Sequence, residues 1–230
     1  MADWPAPRRP AAHAEEMLLT AILDGTFPPH SALPAERELA ARLGVTRPTL
    51  REALQRLHRD GWVTIRQGKP TRVNDVWREG GLRVLSAMVR FGRQLPDNFV
   101  TNLLEIRLVM APAYTRAAVA LAAADVVSCL AGYEQLDDRP ESLAAFDWRL
   151  HHTLTLLCGN PIYTLMLNGF SGFYEEMARL YFRRPEARAV SRAFYGELLA
   201  AARRGDAQEA GVIVEAVMKR SIALWQEVWP

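Results

Sequence analysis

The chain has 230 residues, 28 of them lysine or arginine against 26 acidic ones, for a net charge of +2. Half of its residues are hydrophobic and 23% are charged, which excludes a disordered polymer and leaves enough chain for two domains with separate cores. Two cysteines, Cys129 and Cys158, are too few for a disulfide framework or a zinc knuckle, and no uninterrupted apolar run reaches the roughly 18 residues of a membrane span, so a reducing, cytoplasmic, non-membrane setting is expected.

The first ten residues, rich in proline and alanine, read as a solvated tail that carries Arg8 and Arg9. From 12 to 24, Met17, Leu18, Ala21 and Ile22 outline a helical apolar face, closed by Gly25, and Phe27-Pro28-Pro29 then forces an extended connection. Leu39 and Leu43, four residues apart, give a short second helix after Pro34. Gly44 ends it, and Thr46 is placed to cap a third helix that begins near Arg47, with Leu50, Leu54 and Leu57 facing inward. Arg47, Thr49 and Arg51 stay outside that stripe at the exposed N-terminal end.

This is the plan of a helix-turn-helix, whose second helix enters the DNA major groove. Arginine forks pair with guanine, while threonine hydroxyls and helix N-terminal amides hold phosphate. A helical hairpin inside a bundle has the same spacing, and the following residues favour DNA. After Asp60-Gly61, the runs 62–65 and 71–73 flank a turn of Gln67, Gly68, Lys69 and Pro70, which makes a hairpin able to serve as a wing beside the recognition helix. Between positions 37 and 72 there are nine basic residues and three acidic ones, so the basic charge is concentrated here.

Residues 74–81, with adjacent glycines, read as a linker in which Trp77 is a packed plug. Beyond it the patterns are helical: 82–91, 98–122, 124–136, 141–157, 161–182, 185–204 and 206–229, separated by turns at 95–97, 137–140, 159–161, 183–185 and 205–206. The fold class expected is mainly α. It comprises a winged helix-turn-helix at 1–75 (three helices and a β-hairpin), a linker at 76–82, and an all-α bundle of about seven helices at 83–230. Bundle cores commonly hold ligands.

The run Leu33-Pro34-Ala35-Glu36-Arg37-Glu38-Leu39, with Gly44-Val45-Thr46-Arg47 and Leu50-Arg51-Glu52-Ala53-Leu54, resembles the winged helix-turn-helix of GntR-type bacterial regulators. Arg59-Asp60-Gly61-Trp62, Gly68-Lys69-Pro70-Thr71, Gly159-Asn160-Pro161-Ile162-Tyr163 and Pro185-Glu186-Ala187-Arg188 narrow the resemblance to its fatty-acid-responsive FadR branch. The resemblance covers nearly the whole chain. It implies a homodimer that regulates fatty-acid metabolism and leaves double-stranded operator DNA when long-chain acyl-coenzyme A binds the helical domain. The DNA contacts implied are Arg37, Thr46, Arg47, Thr49, Arg51, Gln67, Gly68 and Lys69. The ligand residues implied are Arg107, Tyr174, Tyr181, Ser221 and Trp225, with Leu103, Met166, Phe170 and Phe173 as apolar wall.

Asp147 and His151, four apart on one helical face, are polar candidates for the same cavity, as is Met218. Related regulators use the Asp-His spacing with two further histidines to hold a metal, but the corresponding positions here carry Tyr195 and Val217, and no metal is expected. The alternative is a GntR-family sensor of a small carboxylate or sugar acid, with or without a metal. Two places depart from the FadR pattern: Val217-Met218 replaces a Tyr-Gly step and Glu215 an arginine, adding bulk and a charge that repels phosphate. In the DNA-binding part, Gln67 stands for a frequent histidine and Pro48 for a hydroxyl residue. No Gly-rich phosphate loop, nucleophile elbow or purposeful carboxylate pair marks an enzyme, and no cofactor is expected.

Overall fold

Helix α1 (Pro10–Leu23) opens the described part of the chain, which covers residues 10–91 and 98–227 in this computed structural model. Arg8, Arg9 and the turn expected at 95–97 lie outside the described residues, as does the side chain of Phe173. The chain divides into two compact units, Met1–Leu95 and Pro96–Pro230.

In the first unit, α1 buries Ala11, Ala14, Leu18, Leu19 and Ile22. Met17, expected on that face, is instead 46% exposed, because the stripe follows 11, 14, 18 and 22, which puts position 17 to one side. Helix α2 (Glu36–Arg42) turns only Leu39 and Ala40 inward. Gly44 then takes φ of 66°, a left-handed conformation that a side chain would strain, and the chain reverses. Thr46 Oγ1 accepts from the amide of Thr49 at 3.3 Å and caps helix α3 (Arg47–Arg59), and Pro48 sits in the first turn, where its missing N–H costs nothing. Leu50, Ala53, Leu54 and Leu57 are buried, and α3 packs against both α1 and α2.

Strands β1 (Val63–Thr64) and β2 (Arg72–Val73) pair antiparallel, with Val63 opposite Val73 and Thr64 opposite Arg72. They are shorter than the expected runs, and Asn74 braces their base: its N donates to Trp62 O at 2.9 Å, and its side chain accepts from Thr64 Oγ1 at 2.7 Å and donates to the Gly61 carbonyl at 3.0 Å. A third segment laces the other edge. Ala32 bridges to Arg72, His30 N donates to Val73 O, and Leu33 N donates to Thr71 O, both at 2.8 Å. Trp62, 1% exposed, fills the space beneath.

The expected linker contains one helical turn, α4 (Val76–Glu79), whose first amides are taken up by Asp75. Trp77 is 62% exposed there and is no packed plug, since the capped turn carries it outward. Helix α5 (Arg83–Phe91) turns Val84 and Met88 inward and packs on α1, within the first unit.

The second unit is all-helical. Helix α6 (Phe99–Leu130) contains one non-helical residue, Ala122 (φ −149°, ψ 48°), so it consists of two segments joined by a kink, as the breaks in periodicity suggest. By length and composition α6 could cross a membrane, yet it packs against α7 (Pro140–Leu157), α10 (Pro185–Arg204) and α11 (Ala207–Gln226), burying Ala111, Tyr114, Ala118 and Val119. A 3-10 turn (Tyr133–Gln135) links α6 to α7.

The single helix expected over 161–182 is two: α8 (Pro161–Gly169) and α9 (Ser171–Phe182). Phe170 N reaches back only three residues, to Leu167 O at 2.9 Å, and Ser171 Oγ donates to Asn168 O at 2.8 Å, which tightens and ends the first helix. Pro140, Pro161 and Pro185 open their helices, and Asn160 and Asp206 cap α8 and α11. With α6 counted as two segments, seven helices form the bundle among the described residues.

Leu50 is fully buried where α1, α2 and α3 meet. Leu50→Ala should cost about 2–5 kcal/mol in urea melts of the first unit. A loss below about 1 kcal/mol would show that the site collapses around the missing side chain.

Candidate functional site

The first unit gathers its cations on one side of α3. Arg37 from α2, Arg47 from α3 and Lys69 from the wing line one surface depression with Pro34, Pro70 and Thr71. The side chains of Arg37, Arg47, Arg66 and Lys69 are exposed and have no ion-pair or hydrogen-bond partner among the described residues, so their charges are directed to solvent. Thr46 and Thr49 join hydroxyls at 2.8 Å at the start of α3. Arg51 is exposed and ion-paired with Glu36. Gln67 and Gly68 form the wing tip, where Gly68 has φ of 71° and Lys69 N donates to Arg66 O at 3.1 Å, the geometry of a tight turn. Such a surface of unpaired cations and hydroxyls is suited to phosphate and base edges.

The second unit holds a cavity between α6, α7, α9, α10 and α11 of about 700 Å³, counting the part open to solvent. Of the residues expected at a ligand site, Arg107, Asp147, Tyr174, Tyr181, Met218, Ser221 and Trp225 line it, and Leu103 forms part of its wall. Met166 and Phe170 do not line it, because the break at Phe170 places both before α9, the helix that faces the cavity. Val100, Leu104, Met177, Ala178, Ser191 and Phe194 line it without having been singled out. A signal for them exists: 100, 103, 104 and 107 on α6, and 174, 177, 178 and 181 on α9, are helical stripes that each run into a polar residue. Val217 and Met218 add bulk to the wall, whereas Glu215 is exposed, outside the cavity, and paired with Lys219 at 2.6 Å.

At one pole of the cavity lies Asp147, 6% exposed. Its Oδ2 accepts from Arg107 Nη2 at 3.3 Å and from the hydroxyl of Tyr174, and its Oδ1 accepts from the Tyr195 hydroxyl at 3.1 Å. Arg107 also stacks over the Tyr174 ring, 5.1 Å from its centroid. Burial pushes the carboxyl of Asp147 up, but His151, Arg107 and the two hydroxyls outweigh it and hold the group below the usual carboxylate range. Burial also keeps the phenols of Tyr174 and Tyr195 protonated, as donors.

His151 does not line the cavity. It is fully buried behind Asp147, with Nδ1 2.8 Å from the Tyr114 hydroxyl and Nε2 3.8 Å from Asp147 Oδ1. Burial lowers its pKa to about 4 against the pull of Asp147, so the ring is neutral near pH 7. Tyr195, at a position expected to carry a further ligand if a metal were held, instead donates to Asp147, and among the described residues no three His, Cys, Asp or Glu side chains converge. Asp147 is thus hydrogen-bonded to Arg107, Tyr174 and Tyr195, and His151 to Tyr114, with His151 Nε2 facing the carboxylate beyond hydrogen-bond distance. At the far side, the Tyr181 hydroxyl donates to Ser221 Oγ at 3.1 Å, and Ser221 Oγ donates to Val217 O at 2.9 Å.

Residues 10–73 match the profile of the bacterial regulatory proteins of the gntR family, and residues 74–229 match that of the FadR C-terminal domain. The chain belongs to the FadR group of GntR regulators. It is similar to the fatty acid metabolism regulator protein of Edwardsiella ictaluri (strain 93-146), with 44% identity over 218 residues, 94% of this chain and 90% of that one. It is also similar to the protein of the same name from Shewanella sp. (strain MR-4), with 47% identity over 189 residues, 82% and 78% of the two chains. The solved structure of Lar of Listeria monocytogenes has a TM-score of 0.64 at 16% identity, covering 99% of this chain and 100% of that one, which bears on the fold alone. As a member of the FadR group, this chain is a DNA-binding transcriptional regulator and not an enzyme.

The neutral His151 gives the FadR-type bundle an acid sensitivity of definite sign. The unfolded chain takes up a proton near pH 6.5 that the folded one refuses until about pH 4, so stability rises with pH through that window and is lost as pH falls. His151→Gln should flatten this limb in denaturant melts between pH 6.5 and 4. An unchanged limb would mean that His151 is protonated in the fold.

Proposed function

We propose that this chain is a sequence-specific regulator of fatty-acid metabolism genes that binds operator DNA as a homodimer in the cytoplasm and is released by long-chain acyl-coenzyme A. Arg37, Thr46, Arg47, Thr49, Arg51, Gln67, Gly68 and Lys69 contact DNA, the arginines on α3 reading base edges and the wing following the backbone. A dimer is required because one recognition helix engages few base pairs, and symmetric half-sites double the contacts.

The observation that carries the effector reading is the charge balance at the cavity pole. Arg107 is already neutralised by an ionised Asp147, and the rest of the wall is mostly apolar. A free carboxylate placed there would bring a second, uncompensated negative charge into a mostly apolar site. A thioester carbonyl is neutral and accepts a hydrogen bond, and the buried Arg107 Nε–H has no acceptor of its own. The apolar stripes of α6 and α9 then receive the acyl chain. Tyr181, Ser221 and Trp225 take the polar part that follows, and Val217 and Met218 narrow the passage beside α11. Ligand entry favours an arrangement of the bundle in which the two DNA-binding units no longer fit their half-sites.

Calorimetric titration with palmitoyl-coenzyme A and with palmitate tests the head-group reading. The thioester should bind at least about tenfold more tightly, and equal binding of the free acid would overturn it. Repeating the titration with a duplex selected by the protein from a randomised pool tests the release mechanism. By linkage, saturating duplex should weaken thioester binding by the factor that saturating thioester weakens duplex binding. Unchanged duplex affinity at saturating thioester would sink the mechanism.

A further inference from the structure

Some ion pairs in the first unit join neighbours on one helix, as Arg42 does with Glu38 and Arg56 with Glu52, whereas others join separate elements, as Arg56 does with Glu15 and Arg83 with Asp60. The pair of Glu36 and Arg51 joins the two helices of the helix-turn-helix. Glu36 Oε2, at the first position of α2, accepts from Arg51 Nε, in the second turn of α3, at 2.7 Å. Among the described residues it is the only ion pair between these two helices.

We propose that Glu36 is a positioning residue for DNA recognition, holding Arg51 Nε so that the terminal Nη pair is the edge presented to DNA. The proposal rests on the reading of Arg51 as a DNA contact. A guanidinium can pair two adjacent N–H groups with guanine either side-on, through Nε and one Nη, or end-on, through both Nη groups. With Nε occupied, only the end-on edge remains. The position of the carboxylate is fixed by helix packing, because α2 is anchored on α3 through buried Leu39 and Ala40. Arg51 itself is 62% exposed, and Glu36 is its one ion-pair partner among the described residues, so without that carboxylate its flexible side chain must be ordered at the moment of binding. Arg37, Arg47 and Lys69, on the same face, have no such tie.

A carboxylate beside a phosphate-binding surface also repels DNA. Charge alone therefore predicts that removing Glu36 strengthens every duplex, whereas positioning predicts weaker binding of the chosen sequence relative to others. The two effects have opposite signs on the ratio of affinities.

The experiment measures fluorescence anisotropy of two duplexes of equal length. One is selected by the wild-type protein from a randomised pool, and the other is a scrambled version of it. Glu36→Gln, Glu36→Ala, Arg51→Ala and the double Ala variant are compared, each with a thermal melt to confirm its fold. Glu36→Ala should lower the selected-to-scrambled ratio about tenfold while scrambled affinity holds or rises. Glu36→Gln keeps an oxygen for Nε and should retain most of the ratio, and the double variant should be no less selective than Arg51→Ala.

A ratio unchanged or raised in Glu36→Ala overturns the proposal, as does a further loss of selectivity in the double variant. If Glu36→Ala fails to fold, Glu36→Gln decides: most of the ratio kept supports positioning by hydrogen bond, and the full loss seen in Arg51→Ala overturns it. An intact ratio in Arg51→Ala removes the DNA-contact reading of Arg51 and the proposal with it. An intact ratio in Glu36→Ala alone removes only the positioning role.

Discussion

Asp147 places a negative charge in the interior of the helical unit, and the bundle is arranged to keep it there. Arg107 reaches it from α6, Tyr174 from α9 and Tyr195 from α10, while Asp147 itself belongs to α7, so one carboxylate joins four helices. Buried charges persist only when both partners and hydrogen bonds are supplied, and loss of one partner is costlier than the pair is worth. The cavity inherits its character from this bond: its cation is present but already answered. A ligand succeeds there by offering an acceptor without offering charge.

At the other end of the chain the logic is reversed. Arg37, Arg47, Arg66 and Lys69 are left unanswered, the first two sharing one depression with Lys69, and the balancing acidic residues Glu38, Glu52 and Asp60 are drawn into pairs with Arg42, Arg56, Arg59 and Arg83. Nearly neutral overall, the chain thus keeps local positive potential where a polyanion approaches. The two units use the same residue types in opposite ways, compensated inside the bundle and uncompensated on the winged helix.

Much of this was legible in the sequence wherever a property is local. The Leu50, Leu54, Leu57 stripe, the Thr46 cap and the left-handed Gly44 are each decided within a few residues, and the recognition helix follows the reading closely. Met17 misled because a long apolar side chain was weighed above the alanines that set the true stripe. The break at Phe170 was announced by Asn168 and Gly169, weak helix formers, within a pattern that otherwise continued. Asp147 and His151 were visible as an i, i+4 pair, but their meaning depends on Arg107, Tyr174 and Tyr195, which lie 40, 27 and 48 residues from Asp147. No periodicity carries information over such separations, and only the packed bundle shows that Asp147 is already engaged by three donors.

The bridge from Ala32 to Arg72 bears on how this regulator could diversify. Because residues 30–33 are stitched to the far strand of the wing, the segment leading into α2 and the hairpin following α3 form one sheet base. Wing and recognition helix are therefore carried as a single rigid reading head. Inserted residues at the tip, around Gln67 and Gly68, would lengthen the head without disturbing it. A one-residue insertion between Pro28 and Leu33 would slip the lacing and tilt the wing relative to the groove. Drift in target preference is thus freest at the hairpin tip and most constrained in the extended segment before α2.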